Sequence, residues 1–188
     1  IIMPDPKYQD GEPLDPRTLA TTDVIVSPDT FRSQRIPPGQ SRTRKWPVLD
    51  AFGTPRLPAP DQWRLKVFGL VERPYELTLA EFQALPRVTV FADFHCVTRW
   101  SRLSNVWEGV STKTLLERAG VKPEAKYVVC HGYDNGWTTN LPLADFLSDD
   151  ALLTDLHDGE PISPAGYWER GGYHMRGDPW TEERFRDD

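Results

Sequence analysis

Proline sets the first limit on this chain. It fills 18 of 188 positions, against a usual share near ~5%. Eleven of the eighteen fall in the first sixty residues, between Pro4 and Pro60. Proline lacks a backbone N–H and has a locked φ, so it is barred from helix interiors and central strands. A helical bundle is therefore disfavoured. The first sixty residues read as irregular, and such a section either wraps a folded body or hangs loose.

From Trp63 the pattern changes. Trp63, Leu65 and Val67 alternate with Arg64 and Lys66, which predicts a strand with one buried face. Thr78 and Glu81 form a capping box, followed by Leu79, Phe82 and Leu85 at helical spacing until Pro86. A second strand is predicted over 88–96, a helix over 111–119 capped by Ser111 and stopped by Gly120, and a third strand over 127–131. Further extended pieces are expected near 137–141 and 151–157, with a short helix over 143–147. The reading is an α+β fold, mixed sheets with short helices behind a long irregular N-terminal section. At roughly 100–200 residues per domain, residues 1–188 make one domain.

Composition narrows the partners. Apolar residues at 38% and charged residues at 27% exclude a disordered tail or a fibrous repeat. No run approaches the roughly 18 apolar residues of a membrane span. The net charge of −6 makes a nucleic-acid partner unsuitable, because phosphate contacts need clustered Lys and Arg. One stretch runs against that sign. Arg32, Arg35, Arg42, Arg44 and Lys45 lie between Asp29 and Asp50 with no acid among them. They form either a solvated basic arm or a site for one anion, such as a phosphate-bearing cofactor. Cys96 and Cys130 are the two cysteines, too few for a disulfide-stapled secreted scaffold. With no export signal visible, a cytoplasmic location is expected; the first residue is Ile, so a removed signal is compatible too.

The stretch Phe94-His95-Cys96-Val97-Thr98-Arg99-Trp100-Ser101 is the most informative. Strand alternation puts Val88, Val90, Ala92, Phe94 and Cys96 on one face and Thr89, Phe91, Asp93 and His95 on the other, with Arg99 and Trp100 in the following loop. One reading of Cys96 is a small buried thiol closing a strand. A nucleophilic pair with His131 and a disulfide to Cys130 are geometrically open. Structural zinc is disfavoured, because His95 and Cys96 point apart, as do Cys130 and His131, and no CxxC spacing occurs. Soft thiolate ligation of a transition metal is also open. One cysteine cannot hold a metal ion alone, so an organic cofactor would bring the other ligands. Arg99, Arg102 and the basic arm would then meet its anionic end.

The residues FHCVTRWSRLSNVW, from Phe94 to Trp107, resemble the cysteine motif of the sulfite oxidase-type molybdopterin oxidoreductases. They are most similar to the small, single-domain bacterial sulfite oxidase-like branch. The resemblance runs through 35–40 (RIPPGQ), 46–49 (WPVL), 63–72 (WRLKVFGLVE), 132–134, 138–143 and 157–161 (HDGEP), and closes with 167–170, 172–175 and 177–180. Several ordered motifs outweigh one cysteine and replace the buried-thiol reading of Cys96.

The resemblance implies a molybdopterin cofactor whose molybdenum takes Cys96 as its protein thiolate, and the two-electron transfer of an oxygen atom to or from a small sulfite- or sulfoxide-like substrate. Cys96 and Arg99 are then the catalytic residues, and His95, Thr98, His131, Arg42 and Arg44 bind cofactor. Sulfite would need a cluster of cations, for which Arg99 is the strong candidate. A sulfoxide suits equally, as in the family's periplasmic methionine sulfoxide reductase branch. No haem segment fits the length, so electrons are expected from a separate partner. After Glu160-Pro161 the family continues with a few dozen residues, including an arginine-bearing apolar strand, before the motif at Tyr167. Here Gly166 precedes Tyr167 directly. A break is expected there, with a Cα separation well above the ~3.8 Å of a trans peptide. The alternative is a cofactor-free binding or scaffold domain that keeps the fold without catalysis.

Overall fold

The computed structural model describes residues 15–19, 23–43, 58–132 and 138–162. The expected break between Gly166 and Tyr167, and Arg44 with Lys45, lie outside the described residues. In chain order the elements are β1 (Val24–Val26), β2 (Ser41–Arg42), β3 (Arg64–Val67), β4 (Tyr75–Thr78), α1 (Leu79–Gln83), β5 (Arg87–Cys96) and β6 (Trp100–Ser111). Then follow α2 (Thr112–Ala119), β7 (Tyr127–His131), β8 (Thr138–Pro142), α3 (Leu143–Phe146), β9 (Leu152–His157) and β10 (Glu160–Pro161). A sheet runs in the order β1-β5-β6-β9-β10 with β2 on β6, while β3 with β4 and β7 with β8 form two-stranded ribbons.

Contacts divide the chain into two compact units. One takes in Ile1–Leu49, Thr89–Glu108 and Thr154–Asp188; the other takes in Asp50–Val88 and Gly109–Leu153. The second has an apolar core of Leu77, Phe82, Val110 and Leu115, against which Trp63, Leu65, Tyr75, Leu85 and Leu153 pack. Its local signals agree with the sequence. Thr78 and Glu81 close the reciprocal capping box on α1, Ser111 caps α2, and Gly120 ends that helix at φ 69°. Thr78→Ala removes one cap and is expected to lower stability by about 1 kcal/mol, read as the urea unfolding midpoint. The Thr78 N–H and hydroxyl also hold the Glu81 carboxyl below its usual range. A carboxylate lowered in the folded state adds stability above its unfolded pKa and loses it as pH falls through the folded one. The Thr78→Ala deficit should therefore shrink in acid.

The first unit differs from the reading in three ways. Its N-terminal section is not wholly irregular. β1 pairs in parallel with β5 (Val24↔Thr89 to Val26↔Phe91) and β2 in parallel with β6 (Ser41↔Trp100, Arg42↔Ser101). Two or three residues between prolines suffice for such short additions. Secondly, Trp100 does not lie in a loop: it opens the twelve-residue β6 and is 3% exposed. That strand carries no period-two signal because it buries residues on both faces, Ser101, Arg102, Ser104 and Asn105 among them. Thirdly, the assumed apolar face of β5 fails at its end. Phe94 is exposed, whereas Asp93 is buried in an ion pair with Arg35.

Candidate active site

The site is built on the turn between β5 and β6. Cys96 closes β5, residues 97–99 make the turn, and Trp100 opens the next strand. The Arg99 N–H donates to the Cys96 carbonyl at 3.0 Å, which closes the turn with Arg99 at φ 74°. Positive φ is uncommon for a side chain other than glycine and costs on the order of 1 kcal/mol. Cys96 is half-buried and a free thiol. The Thr98 hydroxyl donates to its Sγ at 3.2 Å. Arg99 itself is exposed.

The N-terminal section holds this turn from the side. Ser41 N–H donates to the Arg99 carbonyl at 2.9 Å and Thr43 N–H to the Ser101 carbonyl at 2.8 Å. Gln40 donates to the Cys96 carbonyl at 3.1 Å and accepts from the Ser101 hydroxyl at 2.5 Å. His95 Nδ1 lies 2.8 Å from the same hydroxyl. Arg42, on β2, is half-buried opposite Ser101. His95, Cys96, Thr98, Arg99 and Arg42 thus gather at one end of the β5–β6 pair. His131 belongs to the other unit, where it ends β7, exposed, with its ring 6.1 Å from that of Phe68. Cys130 on the same strand is a free thiol whose pKa is pushed up by burial.

Two arginines expected to meet an anion are already tied to carboxylates. Arg35 makes a bidentate pair with Asp93, Nε to Oδ2 at 2.8 Å and Nη2 to Oδ1 at 2.6 Å. Ser104, at φ 61°, donates its N–H to the same carboxylate at 2.9 Å. Arg102 is 2% exposed. It bonds the Asn105 amide oxygen, His157 Nε2 at 3.0 Å and Asp158 at 3.5 Å. Arg32 pairs with Asp29 at 2.8 Å on the surface. Buried carboxylates neutralise Arg35 and Arg102, so these two do not serve as open cation sites, whereas the Arg32 pair is an exposed surface contact worth little. Sequence reasoning also missed His157 and Asp158. A signal was present, since Asp158-Gly159 at φ 51° and 81° joins β9 to β10 by a two-residue hairpin, the turn that Asp-Gly favours.

A family profile described as the oxidoreductase molybdopterin binding domain matches residues 51–167. The chain belongs to the sulfite oxidase-type molybdopterin oxidoreductases. An uncharacterized oxidoreductase of Bacillus subtilis, YuiH, is 42% identical over 186 residues, which cover 82% of this chain and 93% of that protein. A putative protein-methionine-sulfoxide reductase subunit of Azospira oryzae, YedZ1, is 34% identical over 134 residues, 70% of this chain and 50% of that one. Among solved structures, the sulfane dehydrogenase SoxCD of Paracoccus pantotrophus superposes with a TM-score of 0.52 at 25% identity, over 57% of this chain and 32% of that one. The protein is therefore a molybdopterin-dependent oxidoreductase of α+β fold, and its cofactor is molybdopterin with molybdenum.

The Cys96 turn fits such a group. Among the described residues no cluster of three or more His, Cys, Asp or Glu could hold a bare metal ion. A single soft thiol carrying a hydrogen bond at sulfur suits a metal whose remaining ligands arrive with an organic cofactor. No helix among the described residues is long and apolar enough to cross a membrane.

Proposed function

We propose that Cys96 is the protein's ligand to molybdenum and that the enzyme moves one oxygen atom and two electrons between the metal centre and a small sulfur compound, a sulfoxide in preference to sulfite. The observation that carries this reading is the Thr98 hydroxyl on Cys96 Sγ at 3.2 Å, inside a three-residue turn. When bound, the cofactor supplies the oxygen-atom exchange. The chain supplies the rest. Thr98 tempers the charge on sulfur, and the bonded carbonyls of Cys96 and Arg99 hold the turn rigid. Arg99 presents its guanidinium to an incoming oxygen atom.

Charge favours the neutral sulfoxide. Sulfite is a dianion and would be held by several cations, yet Arg35 and Arg102 are neutralised by Asp93 and Asp158. The exposed Arg99 guanidinium stands at the turn, and His95, Arg42 and Arg44 keep the cofactor-binding roles expected from the sequence. The relative named as a putative protein-methionine-sulfoxide reductase subunit points the same way. Reduction of a sulfoxide consumes two electrons and two protons and releases a sulfide and water. We assign the electrons to a separate carrier protein.

Arg99→Gly separates the charge from the turn. Glycine adopts φ 74° without strain but is more disordered when unfolded, so stability should stay within about 1 kcal/mol. With a chemically supplied electron donor, kcat/KM for a methyl sulfoxide should fall about tenfold or more, the loss of one charge-assisted hydrogen bond. Unchanged kcat/KM would remove Arg99 from the catalytic set.

A further inference from the structure

We propose that Gln40 is a positioning residue for the Cys96 turn, and that through Ser101 it sets which nitrogen of His95 carries the proton. This rests on the reading of Cys96 as the molybdenum ligand. The Cys96 carbonyl decides the polarity of the whole set of bonds. A carbonyl oxygen only accepts, so the Gln40 group 3.1 Å away is its amide nitrogen. The amide oxygen then faces Ser101, whose hydroxyl commits its single proton across 2.5 Å. That leaves Ser101 Oγ with lone pairs alone for His95 Nδ1 at 2.8 Å. Nδ1 therefore carries a hydrogen, and in the neutral ring Nε2 becomes the acceptor. Amide orientation and tautomer are ordinarily matters of assignment; here one backbone carbonyl fixes both.

The segment carrying Gln40 is shaped for the task. Pro37, Pro38, Gly39 and Gln40 form a turn closed by the Gln40 N–H on the Pro37 carbonyl at 3.1 Å. Gly39 sits at φ 79°, and the order Pro then Gly matches a type II turn. A Cβ on Gly39 would meet nothing within 4 Å, so glycine is required there by conformation and not by space. Proline and glycine fix Gln40 with little freedom left to lose. Next to it, the backbone bonds from Ser41 to Arg99 and from Thr43 to Ser101 attach the segment to the turn and to the strand that follows it. Partners that orient a ligand behind the metal are usually as exacting as the ligand itself.

Three full-length holoenzymes test this. Gln40→Glu cannot donate to the Cys96 carbonyl but still accepts from Ser101. It should lose molybdenum on dialysis about tenfold faster than the parent, with the 15N imidazole shifts of His95 unchanged. Ser101→Ala keeps the Gln40 bond to Cys96 and removes the partner of His95. Its His95 shifts should move towards a mixture of tautomers, while molybdenum loss stays within about threefold of the parent, the scale of one neutral hydrogen bond. General loosening of the fold would move both readouts in both variants, and that result overturns the proposal. So does a Gln40→Glu protein that holds molybdenum like the parent. Cys96→Ser provides the reference: if it holds molybdenum, the ligand reading fails, whereas if it loses the metal and Gln40→Glu does not, only the role of Gln40 fails.

Discussion

Cys96→Ser is expected to strip the purified protein of molybdenum while leaving it folded. Serine puts a hard, barely acidic hydroxyl where a soft thiolate is needed. Removing a group behind a metal ligand typically costs 10–100-fold in affinity, so losing the ligand itself should cost more than about a hundredfold. The fold has little at stake. Cys96 is half-buried, serine is close to its size, and the change in stability should stay within about 1 kcal/mol. Cys130→Ser is the control, since that thiol lies in the other compact unit and should leave metal content as it was. Elemental analysis of protein made in a host that synthesises molybdopterin, with circular dichroism alongside, gives the answer. A serine protein with parental molybdenum would end the ligand assignment.

Arg35→Ala should produce the opposite pattern, a protein whose fold is weakened first. The Asp93 side chain is 1% exposed and its Arg35 partner 14%, so truncating the arginine leaves a buried carboxylate without its counter-charge. Breaking such a pair from one side costs about 3–5 kcal/mol, which for a chain of this length is a drop of roughly 10 °C in Tm. Adding Asp93→Asn to the same protein removes the stranded charge and should recover part of the loss. A double-mutant cycle measures that coupling. If the double variant is no more stable than Arg35→Ala alone, the pair is not what secures this section.

Much of the local structure was legible in the residues because each signal is complete within a few positions. The Thr78–Glu81 box, the Ser111 cap, the Gly120 stop and the strands β7 and β8 appear at or within a residue of where the sequence puts them, while the pairing of β7 with β8 came from the fold. β6 was not legible, since a strand buried on both faces shows no alternation and its buried residues are largely polar. The same blindness affected Phe94 and Asp93. Hydrophobicity alone assigns Phe94 to the interior and Asp93 to solvent; an arginine 58 residues away holds Asp93 buried, and Phe94 is exposed.

For the site, the sequence determined which family the chain belongs to and singled out the cysteine proposed as the metal ligand, because a cysteine in a run of ordered motifs is recognised without coordinates. What it left open was which basic groups are available to a ligand. Charge availability depends on where carboxylates fall in space. Arg102 meets Asp158 from 56 positions away, and Arg35 meets Asp93 from 58. Only the folded chain shows these two neutralised and Arg99 exposed. It likewise took the fold to bring Gln40 onto a carbonyl 56 residues distant. The proline-rich section, read at first as irregular, is the part that delivers it, since a turn of fixed φ can place a side chain with little entropy to lose.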